Sequence, residues 1–205
     1  TLKICISLDG MIFNEQSGSS LIGDLKQLRH SNNLRANYDS ILVGVETILA
    51  DNPKLTYRGL GSKSLKQPRP IVLDSLLRTP LDSKIIKLKN DPIIFTKLDE
   101  DSKKSVKLKK LGCTIIKLNK LEPRMVLKSL MKNNLQTVMV EGGGSIFSSF
   151  LKSNSYDELV LYYSSIFIGN SGLNLGHSLD KEYKLKKNST KIKKIGNSTM
   201  MVFKR

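Results

Sequence analysis

Thr137-Val138-Met139-Val140 runs directly into Glu141-Gly142-Gly143-Gly144-Ser145, and Ile146, Phe147, Phe150 and Leu151 follow at helical spacing. A β-branched run, a carboxylate, three glycines and an apolar-periodic segment read as strand, glycine turn and helix. Glycines at such a junction let the backbone approach a ligand closely. The free N–H groups and positive dipole end of the following helix favour a phosphate, which makes Gly143, Gly144, Ser145 and Ile146 a candidate diphosphate cradle with Ser145 placed to cap the helix. Glu141 leaves the strand end beside this turn, where ligands of open α/β sheets sit, and is the candidate ligand-reading carboxylate. The competing readings are a tight turn that needs positive φ and an exposed acid paired with a lysine. Two phosphate motifs are excluded: no Gly-Lys-Ser/Thr follows, and Phe147 stands where a dinucleotide fingerprint has its third glycine.

The elements that must position these residues alternate along the chain. Thr1 to Leu8 reads as a buried strand closed by Asp9-Gly10, and Asp24 to Ala36 as a helix with Leu25, Leu28 and Leu34 on one face. Ser40 to Val45 is a second strand; a short turn or helix from Glu46 to Ala50 then meets the stop signal Asp51-Asn52-Pro53. Pro70 to Leu73, Ile93 to Thr96 and Cys113 to Leu118 read as further strands, with helices at Asp99 to Leu111 and Pro123 to Asn133. Glu158 to Ile168 and Thr199 to Phe203 read as late strands, antiparallel at one edge, and Gly169 to Ser198 shows no clear period. No repeat, low-complexity tract or linker divides the chain, so a single domain over residues 1–205 is expected. The fold class is α/β: a mixed, mostly parallel central sheet with helices on both faces. The polar clusters Thr47/Asp51, Asp74/Ser75 and Glu141/Gly142 then fall at strand carboxyl ends.

Composition narrows the classes further. With 39% apolar and 25% charged residues the chain describes a globular protein with one substantial core. The longest apolar run, Leu159 to Ile168, is broken by two serines and is too short to span a bilayer, and no signal-peptide pattern opens the chain, so cytoplasm is the expected address. Cys5 and Cys113 sit inside apolar runs as buried free thiols would, and with His30 and His177 far apart no metal site is expected. A net charge of +16 invites a nucleic-acid reading, yet the thirteen lysines between Lys84 and Lys132 are interleaved with apolar residues, aromatics are 6% and Trp is absent. Stacking platforms are not evident, and a phosphate-bearing substrate suits the same charge.

Taken in order, the clusters resemble the reductase domain of riboflavin biosynthesis, which has a dihydrofolate-reductase-like, three-layer fold. The resemblance runs through Thr1-Leu2-Lys3 and Ser7-Leu8-Asp9-Gly10, Leu34-Arg35-Ala36, Ile41 to Val45, Thr47 to Thr56, Arg69 to Ser75 and Val140 to Gly144. It implies NADPH-dependent reduction of the ribosyl group of a ribosylaminopyrimidine 5′-phosphate to a ribityl group, and a homodimer. It places Thr47, Asp51, Ser75 and the run Gly143 to Ser149 at cofactor-contacting positions. Ser19, Arg35, Leu55, Arg58 and Glu141 match substrate-contacting positions, and Lys3 matches a lysine that faces the active site.

Physical chemistry is consistent with these roles. Arg35 and Arg58 carry planar forks suited to a phosphate, and Glu141 can accept N–H donors from a pyrimidine edge. Lys3 and Asp51 are the candidate acids for protonating the reduced imine. Ser75 and Arg78 lie just past a strand end, where a 2′-phosphate would select NADPH over NADH. The chain departs from the family where Leu21 replaces a frequent Trp and Glu46 a frequent Gly, and it lacks the deaminase zinc signature. The alternatives are another pyridine-nucleotide reductase of the same fold or a basic nucleic-acid-binding protein.

Overall fold

β-Branched runs extend into strands whose successive side chains face opposite ways, so a sheet covered on both faces needs apolar residues at every position. The computed structural model, which describes residues 1–14, 22–59, 66–175, 179–185 and 188–205, builds such a sheet. In chain order its elements are β1 (Leu2–Ser7), β2 (Met11–Asn14), α1 (Leu25–Leu34), β3 (Ser40–Gly44), α2 (Val45–Asp51), β4 (Arg69–Leu73), α3 (Lys84–Lys87), β5 (Ile93–Thr96), α4 (Lys103–Lys110), β6 (Thr114–Lys117), α5 (Pro123–Lys132), β7 (Val138–Val140), α6 (Gly144–Lys152), β8 (Glu158–Ser164), β9 (Gly172–Asn174), β10 (Ser189–Ile195) and β11 (Ser198–Lys204). The main sheet has the order β10-β11-β8-β1-β7-β3-β4-β5-β6, and β2 pairs with β9 apart from it. All pairings from β8 through β6 are parallel, while β11 runs antiparallel to both β8 and β10.

Alternation divides the core into two layers. Leu42, Ile71, Leu73, Phe95 and Val140 face one side, where Val126 and Leu130 of α5 and Phe147 and Phe150 of α6 cover them. Ile41, Val43, Val72, Ile94 and Met139 face the other, under Ile48 of α2, Ile85 and Ile86 of α3 and Leu108 of α4. The second face continues beneath α1, where Val160 and Tyr162 of β8 pack with Ile195, Cys5 and Leu34. This is the mixed, mostly parallel sheet with helices on both faces that the alternation predicts.

Several local expectations change. The late strands are not simply an antiparallel edge: β8 is parallel to β1 inside the sheet, and only β11 and β10 run against it. β10 lies in the stretch without a clear period, because an edge strand exposed on both faces, Ser189 to Lys194, needs no apolar alternation. On α1 the buried face is Gln27, Ser31 and Asn32, while Leu25 is 65% exposed. Asp24 caps that helix by accepting from the Gln27 amide, and its other oxygen accepts from the Asn197 amide, tying α1 to the β10–β11 hairpin. Cys113 is buried as expected, but Cys5 is only half-buried.

Candidate active site

The short strand β7 creates the site. Its last pairing with β1 is Leu2 with Val140, whereas β1 continues along β8 as far as Ser7 with Ser164. Beyond Leu2 the β7 side of β1 therefore has no strand partner, and a cleft opens between β1 and β3 at the carboxyl end of the sheet. Strands β3 to β6 step outward from there and β7 returns between β3 and β1, so the cleft is a topological switch point.

One residue past the Leu2–Val140 pair, Lys3 and Glu141 stand beside each other on the α1 face. Glu141 is held by a fork: Arg35 Nε donates to Oε1 and Nη2 to Oε2, both at 2.7 Å. Arg35 Nη1 donates to the Thr56 carbonyl at 3.0 Å. The two side chains are 8% and 7% exposed, so this is a buried ion pair with satisfied geometry. Burial alone pushes the Glu141 carboxyl up, and the charge of Lys3, the hydrogen bond and charge of Arg35, and the charge of Arg58 outweigh it and hold the group below its ordinary value. Arg58 donates from Nη2 to Asn32 Oδ1 at 3.2 Å, and its pKa is lowered first by burial and then by the Arg35 guanidinium. Three cations and one carboxylate thus converge beside the glycine turn, leaving the local field positive.

The glycine turn has two separate physical requirements. Gly143 has φ +74° and is the N-cap of α6, and no side chain caps the helix; Ser145, expected to do so, is an exposed first-turn residue instead. A side chain at Gly142 would place its Cβ 2.8 Å from Thr47 Oγ1 and 3.3 Å from Val43 Cγ1. Thr47 of α2 therefore packs directly on the turn, and a nine-residue helix starts from that turn with no side-chain cap at its positive end. A nucleotide diphosphate fits this cradle, because backbone N–H groups and the helix dipole favour an anion there.

The other candidates are placed as follows. Asp51 is the exposed last residue of α2. Ser75 follows the buried Asp74, whose carboxylate accepts from the Arg78 and Thr79 amides and from Thr79 Oγ1, which fixes the turn after β4. The Ser75 carbonyl accepts from Thr96 Oγ1. Arg78 is paired with Glu46. Leu55 has φ +52° and a side chain only 1% exposed in the core, so its side chain is not open to a ligand. Arg35 lies close enough to Arg58 to lower its pKa, and its donors reach Glu141 and the Thr56 carbonyl. Ser19 and Leu21 lie outside the described residues.

Sequence reasoning did not find Asn32 and Thr56, which hold the two arginines, nor the pair His30 and Tyr162 behind Lys3. A lone histidine on the same helix as Asn32 and a tyrosine inside an apolar strand were the available signals. Two cavities lie elsewhere. One of about 470 Å3 is lined by Tyr38, Leu130, Val138 and Tyr156 at the amino ends of the strands. The other, of about 840 Å3, is lined by Asp24, Ser165, Lys193 and Lys194. Neither includes Glu141 or the glycine turn, so the converging charges, not cavity volume, mark the site. Among the described residues no helix is long and apolar enough to cross a membrane.

An α/β sheet covered by helices on both faces, with converging charges and a glycine-led helix at its switch point, is the class of fold in which ligands sit at the carboxyl ends of the strands. Within that class the chain belongs to the RibD C-terminal domain family, whose model matches residues 1–201. It is 33% identical over 176 residues to the 2,5-diamino-6-ribosylamino-4(3H)-pyrimidinone 5′-phosphate reductase of Archaeoglobus fulgidus, covering 82% of this chain and 80% of the relative. It is 31% identical over 210 residues to the riboflavin biosynthesis protein RibD of Aquifex aeolicus, covering 100% of this chain but 57% of that protein. Among solved structures it is similar to the Thermotoga maritima deaminase/5-amino-6-(5-phosphoribosylamino)uracil reductase, with TM-score 0.81, 26% identity and coverage of 99% of this chain and 55% of that one. A pyrimidine reductase-like protein of Corynebacterium diphtheriae superposes with TM-score 0.83 at 20% identity, over 99% of this chain and 90% of that one. The expected dihydrofolate-reductase-like fold is thus present.

Proposed function

We propose that this chain is an NADPH-dependent reductase that converts the ribosylamino group of a ribosylaminopyrimidine 5′-phosphate to a ribitylamino group. The observation that carries the reading is the cluster of Lys3, Glu141, Arg35 and Arg58 beside the α6 glycine turn. The names of the Archaeoglobus and Thermotoga relatives support the substrate class.

Bound NADPH supplies the hydride. Gly143 to Ile146 and Thr47 would hold its diphosphate, and Ser75 would contact its adenosine part. Glu141 uses two of its roughly four acceptor positions on Arg35, which leaves others for the N–H groups of a pyrimidine edge. Arg35 fixes the orientation of that carboxylate and keeps it ionised. Arg58, the less buried of the two arginines, takes the substrate phosphate. Reduction of the ring-opened imine adds a hydride to C1′ and a proton to nitrogen, and Lys3, beside Glu141, donates the proton. Asp51, at the end of α2, is the second candidate acid. The protein assembles as a homodimer and works without nucleic acid.

The test is NADPH oxidation with 5-amino-6-(5-phosphoribosylamino)uracil and with its 2,5-diaminopyrimidinone equivalent, together with single-turnover rates for Lys3→Met and Asp51→Asn. Consumption of NADPH with at least one of these substrates and none with the dephosphorylated form is expected. Failure with both, in a protein that binds NADPH, would point to another reductase of the same fold. Salt-steep DNA binding without NADPH binding would overturn the enzyme reading altogether.

A further inference from the structure

Behind Lys3, on the α1 face, lies a polar chain that the reaction described above does not use. Tyr162, in the middle of β8, is 0% exposed. Its hydroxyl lies 2.8 Å from Nδ1 of His30 on α1, and the two rings meet edge to face with centroids 5.9 Å apart. The Lys3 ammonium stands over the Tyr162 ring, 5.9 Å from its centroid. Burial, with Cys5 and Glu141 adding to it, raises the phenol well above its ordinary value. Burial first and Lys193 second lower the His30 imidazole. At neutral pH a neutral phenol therefore faces a neutral imidazole, and the hydroxyl and Nδ1 share one hydrogen bond.

The register explains why these groups meet. Lys3 pairs with Val160 and Cys5 with Tyr162 across β1 and β8, so Lys3, Cys5, Val160 and Tyr162 share one face. Glu141 joins that face from β7. The ammonium is thus flanked by a carboxylate on one side and an aromatic face on the other, each attracting a cation. A lysine has a long, freely rotating stem, and a group that must deliver a proton to one atom loses rate when that stem wanders. A buried tyrosine hydroxyl also needs a partner, and His30 supplies it from a different element, which fixes the ring plane.

We infer that Tyr162, its ring oriented by His30, is a positioning residue for Lys3: it holds the ammonium over the cleft, opposite Glu141, in the orientation that delivers the proton. This rests on the reading of Lys3 as the proton source. The simpler role for Tyr162 is core packing alone, and the two roles separate in a double-mutant cycle.

The experiment measures single-turnover hydride transfer for Tyr162→Leu, Tyr162→Phe and His30→Ala, each with wild-type Lys3 and with Lys3→Met. With Lys3 present, Tyr162→Leu slows transfer about tenfold and Tyr162→Phe and His30→Ala roughly two- to threefold, as loss of a desolvated cation–π contact and of one orienting hydrogen bond would. In the Lys3→Met background all three changes leave the rate unaltered. A readout independent of turnover is the Lys3 ε-methylene proton resonance in lysine-labelled protein, identified by its disappearance in Lys3→Met. It moves downfield in Tyr162→Leu as the ring current is lost. If Tyr162→Leu does not fold, Tyr162→Phe and His30→Ala complete the cycle. Equal slowing in both Lys3 backgrounds, or an unmoved resonance, overturns the inference and leaves the proton-source reading intact. A Lys3→Met protein that transfers hydride at the wild-type rate removes both.

Discussion

Both oxygens of Glu141 accept from the guanidinium of Arg35 at 2.7 Å, although the two residues are 106 positions apart in the chain. The pair is buried, and the consequence is testable through stability. Arg35→Gln leaves an ionised carboxylate without its partner and costs on the order of 3–5 kcal/mol. The pH dependence follows from the direction of the Glu141 shift. Its folded pKa lies below the ordinary 4.5, so its stabilisation is complete above that value and is lost as pH falls below it. Urea unfolding of the wild type from pH 7 down to pH 3 will show this acid loss, and Arg35→Gln will show a smaller one. Equal acid slopes in the two proteins would remove the Arg35 interaction as a cause of the Glu141 shift.

Gly143→Ala places a side chain at φ +74° in a region that L-residues rarely adopt, so about 1–2 kcal/mol of stability is lost whether or not a ligand binds there. The cradle assignment therefore needs NADPH titration of the folded fraction, with affinity expected to fall beyond what partial unfolding explains. Gly142→Ala tests the packing separately. Its Cβ would meet Thr47 Oγ1 at 2.8 Å, and Thr47→Ala in the same chain should restore part of the melting temperature.

Arg58→Ala removes a cation that Arg35 repels and that donates to Asn32, so stability should change by less than about 1 kcal/mol. The KM for the phosphorylated substrate is expected to rise roughly tenfold or more, because a charge-assisted phosphate contact is lost, while NADPH affinity stays close to wild type. Loss of NADPH affinity instead would assign this arginine to the cofactor.

Arg78 and Glu46 form an exposed ion pair near Ser75, with side chains 46% and 72% exposed, and a pair of this kind is weak. Glu46→Gln frees the guanidinium for a 2′-phosphate. The preference for NADPH over NADH, measured as the ratio of the two kcat/KM values, should rise roughly two- to fivefold. An unchanged ratio would place the 2′-phosphate away from Arg78.

What the chain alone determines is the order of its parts and the kinds of chemistry available at their ends. Ile41-Leu42-Val43, Ile71-Val72-Leu73 and Ile93-Ile94-Phe95 are apolar at every position, so they must be strands covered on both faces, and helices between them make those strands parallel. The carboxyl ends then collect Thr47, Ser75 and Glu141 on one edge before any contact is known. The 3.6-residue period of α1 is legible in the same way, but its phase is not. Gln27 and Asn32 are buried while Leu25 is exposed, because the neighbouring elements, not the helix, decide which face is covered.

Tertiary structure alone decided the pairings. Arg35 reads locally as a free phosphate arm, and only the return of β7 between β1 and β3 brings Glu141 to it and turns the arm into a clamp on a carboxylate. Ser145 reads as a helix cap, yet the backbone at Gly143 places the cap two positions earlier, with no side-chain cap on the helix. The pairing of Tyr162 with His30, and the place of both behind Lys3, depends on partners 132 residues apart. Local sequence sets backbone propensity and periodicity, whereas a side-chain hydrogen bond or ion pair depends on the register of strands distant in the chain, and no window of neighbouring residues encodes that register.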